Sequence, residues 1–151
     1  MLKAENDFTM IIFGASGSLA KLKIFPSIYE LAIEGRMPDD FKIVGYSRTP
    51  MSDENFRSEF AESVRTKYES VDEKILSNVL ENVFYVSGQY DQVSDFENLD
   101  ARLSNLENNN DRVRIAYFSV PPSVFEPIIE CLGKTLNQRG PELRLVVEKP
   151  F

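Results

Sequence analysis

The sequence has no histidine, a single cysteine and no excess of basic residues, and each scarcity closes off a class of function. Without imidazole, any proton abstraction by histidine must come from outside these residues, so no catalytic residue is assigned within the chain. Cys131 alone cannot close an internal disulfide. It reads as an inert thiol on or near a helix face, in keeping with a reducing cytoplasm. No apolar run approaches the roughly 20 residues that span a bilayer. Residues 1–7 lack the basic start and apolar stretch of a secretory signal, so no membrane association is expected. The 17 Lys and Arg against 24 Asp and Glu leave a net charge of −7. That excludes broad nucleic-acid binding, which needs a basic footprint to displace counterions. A local anion site remains open, because a phosphate needs only a few nearby donors. No metal site is assigned.

What is present suits one ordinary domain: 151 residues, 42% hydrophobic and 27% charged, enough to bury a single core. Short apolar, β-branched runs alternate with helical patterns. Strands are expected at residues 8–13, 42–46, 83–87, 113–120 and 143–147. Residues 19–34 have helical spacing, with Leu19, Ile24, Ile28, Leu31 and Ala32 on one face and Gly35 as a stop. Pro26 there demands a kink or a late helix start. Ser52 before Asp53 and Glu54 is an N-cap with acids in the first turn, and Phe56, Phe60 and Val64 follow at helical spacing. The acids of this region read as a solvated face. Residues 72–82 form another helix with Ile75, Val79 and Leu80 inward, and 93–106 a further one before a polar loop at 108–111. Pro121 and Pro122 stop the fourth strand. Ser123 can cap a helix reaching about Arg139, with Pro127 in its first turn and Gly140-Pro141 as its break. This alternation implies an α/β fold over residues 1–151, Rossmann-like and doubly wound, a mainly parallel sheet with helices on both faces.

The most informative stretch lies where the first strand meets its helix. Gly14 permits unusual φ values, Gly17 removes a side chain where a pyrophosphate would approach the backbone, and Ala20 lets the helix pack closely on the strand. A glycine turn leading into a helix N-terminus is a phosphate cradle. The spacing departs from the usual G-x-G-x-x-G, since Ser16 stands where the middle glycine belongs, and such a junction can also need glycine for packing alone. The end of the second strand separates two cofactors. NAD-selecting proteins usually place Asp or Glu there, to accept from the ribose 2′-OH; this chain has Gly45-Tyr46-Ser47-Arg48. No acid repels a 2′-phosphate, and the Arg48 guanidinium fork can pair with one, which favours NADP. An exposed arginine in a turn is also commonplace.

These segments resemble glucose-6-phosphate dehydrogenase. That family's coenzyme domain carries a G-A-S-G-D-L-A loop, then a basic run and Ile-aromatic-Pro. Here Gly14-Ala15-Ser16-Gly17-Ser18-Leu19-Ala20 precedes Lys21-Leu22-Lys23-Ile24-Phe25-Pro26. Gly45-Tyr46-Ser47-Arg48 is similar to the family's Gly-aromatic/small-Ser/Ala-Arg turn. Tyr85-Val86-Ser87-Gly88-Gln89-Tyr90-Asp91 is similar to its Tyr-Val-x-Gly-x-Tyr-Asp segment. Tyr117-Phe118-Ser119-Val120-Pro121-Pro122 follows its fourth strand end, and Val147-Glu148-Lys149-Pro150-Phe151 its closing signature. The resemblance spans essentially the whole chain, in the family's order.

The resemblance implies roles residue by residue. Residues 14–21 (Gly14, Ala15, Ser16, Gly17, Ser18, Leu19, Ala20 and Lys21) would hold the NADP pyrophosphate and Arg48 its 2′-phosphate. Tyr90 and Asp91 would lie near the ribose, and Pro121 and Pro122 near the nicotinamide. Lys149 would meet both coenzyme and glucose 6-phosphate, and the Lys149-Pro150 bond is a candidate cis peptide. Three positions depart from the family: Ser18 for its aspartate, Leu22 for a frequent basic residue, and Phe125 for a frequent tyrosine. Ser18 removes a negative charge but can still cap the helix. The family's histidine-bearing R-I-D-H-Y segment and its substrate domain lie beyond Phe151. The implied protein is thus the NADP-binding domain of a cytoplasmic enzyme that oxidises glucose 6-phosphate to 6-phosphogluconolactone. The domain alone is expected to be inactive and monomeric, and the full enzyme a homo-oligomer. The alternative is a stand-alone NADP-binding module. A short-chain reductase would need a Tyr-x-x-x-Lys pair, which the chain does not offer.

Overall fold

Five strands make one sheet: β1 (Phe8–Phe13), β2 (Phe41–Ser47), β3 (Val83–Ser87), β4 (Val113–Phe118) and β5 (Glu142–Val147). Their order is β3-β2-β1-β4-β5, and every neighbouring pair is parallel. The structure, a computed structural model, describes residues 6–108 and 111–147. A π-helical turn (Ala20–Ile24) runs into α1 (Phe25–Ile33) between β1 and β2. Next come α2 (Asp53–Lys67) and α3 (Glu73–Leu80) before β3, and α4 (Val93–Leu106) before β4. A 3-10 turn (Pro122–Val124) and α5 (Phe125–Lys134) lead to β5. This is the expected Rossmann-like α/β architecture, with strands winding outward from β1 in both directions.

Strand alternation divides the core in two. Ile12, Phe41 and Ile43 face α1, α2 and α3, where they meet Phe25, Ile28, Phe56, Phe60, Val64 and Leu76. Ile11, Phe13, Val44 and Tyr46 face α4 and α5, against Phe96, Leu99, Leu103, Ile128 and Leu132. A parallel sheet needs both faces covered, and these two clusters cover them. The Phe25 and Phe60 rings stack at 4.8 Å and join α1 to α2.

Local differences from expectation have local causes. The late helix start that Pro26 demanded is real. Phe25 N–H donates to Ala20 O across the wider π turn, and Pro26, with no amide to return, stands in the first turn of α1. Leu19 and Leu31 are exposed rather than inward; Ile24 and Ile28 carry that face. In α3, Leu76 and Val79 are buried, while Ile75 and Leu80 pack only at the margin. Strand β4 ends at Phe118 rather than residue 120. Ser123 does not cap α5, because it lies inside the 3-10 turn and no side chain caps Val124. Helix α5 also stops at Lys134, well before Arg139. Thr135 Oγ1 donates back to Cys131 O (2.7 Å) and Asn137 N–H to Leu132 O (3.0 Å), satisfying its last carbonyls. The edge strand β5 leaves Leu145, Val146 and Val147 exposed.

Beneath the sheet, at the N-terminal edge of its strands, runs a chain of charges that no motif announced. Arg112 and Arg114 are both fully buried. Arg112 pairs with Asp40 and donates to Phe8 O (3.2 Å) and Thr9 Oγ1 (3.1 Å). Thr9 donates to Glu107 (2.7 Å), which holds Arg114 through both oxygens (3.0 and 2.7 Å), and Arg114 reaches Asp100 at 2.7 Å. Burial acts to raise the Asp40 pKa, but the Lys42 hydrogen bond and the Arg112 and Lys42 charges outweigh it and hold the carboxyl below its ordinary value. A carboxyl depressed on folding stabilises the protein above its unfolded pKa and loses that contribution as pH falls through the folded value. Asp40→Asn should therefore cost about 2 kcal/mol at pH 7. The two melting curves should converge below about pH 4, measured as Tm against pH.

Candidate functional site

Because all five strands are parallel, their C-terminal ends share one edge of the sheet. The strand order reverses between β1 and β4, which opens the crevice where doubly wound folds bind ligands. The glycine turn sits there. Gly14 has φ +88°, and a Cβ on it would collide with the Ser119 carbonyl oxygen and lie 2.8 Å from Val120 Cγ1. The amides of Gly14 and Ala15 both donate to Tyr46 O (2.9 and 3.3 Å), tying the turn to β2. The fold itself therefore requires glycine at 14. Gly17 is different. It is exposed and has no positive φ, and a Cβ there would touch only Gly14 O at 3.3 Å. Packing crowds Gly17 on that one side only, and its other side faces solvent.

Helical structure begins at Ser18, with Lys21 N–H bonding Gly17 O at 3.4 Å. The amides of the first helical residues, Ser18, Leu19 and Ala20, stand where a helix has no internal acceptors. No side chain caps Leu19, and Ser18 is exposed. Ser16 is half-buried, and Ala20 is fully buried beneath the helix, as close packing on the strand requires. Ser119, beside Gly14, buries its Oγ with no hydrogen-bond partner among the described residues. Lys21 is not at the turn: its Nζ pairs with Glu59 of α2 at 2.7 Å.

One strand over, Arg48 follows β2, exposed and with no carboxylate partner among the described residues. Its guanidinium lies 5.6 Å from the centre of the Tyr90 ring. Tyr90 is buried against Tyr46, with ring centres 5.9 Å apart. Burial raises the Tyr90 pKa, with the Arg48 charge and a hydrogen bond from the Gly14 backbone acting the other way. Tyr90 thus lies against Arg48 on one side and Tyr46 on the other. Asp91 does not join them; it is exposed, with a 3.5 Å contact from Gln92. Pro121 is exposed just beyond β4, and Phe125 packs on Phe118 at 5.3 Å. Lys149 lies outside the described residues. The site is an open ledge. A cleft of about 930 Å³ touching Asp100, Arg114 and Pro141 lies at the opposite edge, its Arg114 already paired with Asp100 and Glu107.

Sequence reasoning missed the groups that hold this ledge in shape. Tyr85 reaches Ser47 and Thr49 with its hydroxyl. Asp53, read as a solvated helix-start acid, instead accepts from Tyr85 N–H (2.8 Å) and pairs with Arg102 (2.8 Å). The Tyr46 hydroxyl donates to Gln89 O at 2.6 Å, in the loop that carries Tyr90. In β3, Val83 and Tyr85 alternate inward, and nothing local in the sequence names the partners of Tyr85.

A tight glycine turn at the switch point of a doubly wound parallel sheet, with a cation just past the neighbouring strand that pairs with no acid among the described residues, defines a dinucleotide-binding α/β domain. Residues 11–151 match the family described as "Glucose-6-phosphate dehydrogenase, NAD binding domain", and the chain belongs to that family. It is 36% identical to the chloroplastic glucose-6-phosphate 1-dehydrogenase of Spinacia oleracea, over 99% of this chain and 26% of the relative. It is 35% identical to the glucose-6-phosphate 1-dehydrogenase of Emericella nidulans, over 99% of this chain and 29% of that one. A solved glucose-6-phosphate dehydrogenase in complex with its substrate glucose-6-phosphate superposes with a TM-score of 0.88. It is 28% identical, over all of this chain and 32% of that structure. The chain thus spans about a quarter to a third of the length of the relatives it matches.

Proposed function

We propose that the chain binds NADP on this ledge, as the coenzyme domain of an enzyme that oxidises glucose 6-phosphate to 6-phosphogluconolactone. The observation that carries the reading is Arg48, exposed at the end of β2 with no acid paired to it among the described residues, beside a glycine turn whose second glycine is open to solvent. Gly17 leaves room for a pyrophosphate, and the amides of Ser18, Leu19 and Ala20 supply donors at a helix start. Arg48 pairs with the 2′-phosphate through its fork. Tyr90 braces the guanidinium next to the ribose, and Pro121 bounds the nicotinamide end. Lys21 reaches a phosphate only by releasing Glu59. Asp91, exposed and apart from Arg48 and Tyr90, would reach the ribose only if its loop shifts, and Lys149 would meet both coenzyme and sugar phosphate. NADP, when bound, supplies the hydride acceptor. The base that takes the sugar hydroxyl proton is not in this chain, which has no histidine.

Gly17→Val tests the reading. The branched side chain would occupy the open side of the turn, so NADPH binding, followed by its fluorescence, should weaken at least about a hundredfold. The added Cβ presses on Gly14 O, so Tm should fall by a few degrees, no more than about 6 °C. Undiminished binding would place the coenzyme elsewhere.

A further inference from the structure

We propose that Tyr85 is a positioning residue for selection of the 2′-phosphate: its hydroxyl, deep in the strand layer, pins the turn that carries Arg48. The proposal rests on the NADP reading above. Tyr85 is 4% exposed, its ring 5.1 Å from that of Phe56. Its hydroxyl donates to Thr49 O at 2.5 Å and bonds Ser47 Oγ. Ser47 Oγ in turn accepts from Thr49 N–H at 3.2 Å. Only one assignment of protons satisfies all three hydrogen bonds. Ser47 donates to the tyrosine oxygen, Tyr85 donates to the Thr49 carbonyl, and the Thr49 amide closes the ring on Ser47.

Arg48 is the residue between the two that this ring grips. The grip continues outward, because Ser47 O also accepts from Gly88 N–H at 3.0 Å, and Gly88 opens the loop leading to Tyr90. Tyr85 itself is anchored where its own N–H meets Asp53 at 2.8 Å, an acid held by Arg102. The backbone of Arg48 is therefore held from β3 while its guanidinium rests over the Tyr90 ring. An arginine held in this way gives up less freedom when it binds a phosphate. The advantage applies only to a ligand that Arg48 touches. A hydroxyl serving stability alone would affect NAD and NADP alike.

The experiment titrates the chain with NADP and with NAD, comparing wild type with Tyr85→Phe, Ser47→Ala, Arg48→Ala and the double variant of Tyr85→Phe with Arg48→Ala. Tyr85→Phe, which keeps the ring, should weaken NADP about tenfold. NAD should stay within about twofold, and within Arg48→Ala the same substitution should change NADP affinity by less than about twofold. Ser47→Ala should repeat the NADP-only loss without touching the aromatic core, and it decides the matter if Tyr85→Phe fails to fold by circular dichroism. Equal losses for the two dinucleotides, no loss for either, or full additivity with Arg48→Ala would overturn the inference. If Arg48→Ala itself left NADP binding unchanged, the NADP reading beneath it would fall as well.

Discussion

Arg48→Ala should weaken NADP binding about a hundredfold while leaving NAD binding within about twofold. A hydrogen-bonded charge pair of this kind contributes about 1.5–3 kcal/mol, and each 1.4 kcal/mol is a factor of ten in affinity. Arg48 is exposed and pairs with no carboxylate among the described residues, so its removal leaves no buried charge behind. The folded state should be as stable as before. Arg48→Lys should fall between the two, since it keeps the charge and loses the fork. The wild-type preference for NADP should also shrink as salt is raised, because an exposed pair is screened. Calorimetric titration of each variant with both dinucleotides checks all of this. Equal weakening of NAD and NADP would remove Arg48 from the 2′-phosphate.

Gly14→Ala should instead unfold the protein's most constrained turn. At φ +88° an L side chain is strained before it meets anything. The added Cβ then meets the Ser119 backbone carbonyl, which cannot yield because Ser119 N–H bonds Phe13 O at 2.8 Å. The expected loss is about 4 kcal/mol, a fall in Tm on the order of 12 °C for a chain of this size. Gly35→Ala is the control. Gly35 also has positive φ (+69°), but its Cβ would have nothing within 4 Å, so only the conformational cost of about 1 kcal/mol remains. Similar losses at the two positions would contradict the packing account of Gly14. Set beside Gly17→Val, these variants separate the glycine that the fold needs from the one that the proposed pyrophosphate site needs.

Much of this was legible along the chain because it is local. The bounds of β3 and α4 are those that periodicity assigned, and the Ser52 cap bonds Asn55 N–H as its position implied. Gly14 and Ala20 behave as a strand–turn–helix junction demands. What escaped the sequence depends on pairs far apart in it. Asp53 meets Arg102 across 49 positions and Asp40 meets Arg112 across 72, so neither acid could be told from a solvated one. Lys21 carried the charge expected of a phosphate ligand, yet Glu59, on a helix folded in from elsewhere, claims it. The grip of Tyr85 on the Arg48 turn is likewise a contact between two strands. Register creates it, and no motif encodes it.

The most direct measurement is an isothermal titration of the chain with NADP and, separately, with NAD. The expected result is one site, a Kd for NADP in the micromolar range, about −8 kcal/mol, and at least about thirtyfold weaker binding of NAD. Millimolar affinity for both dinucleotides, or equal affinity for the two, would contradict it.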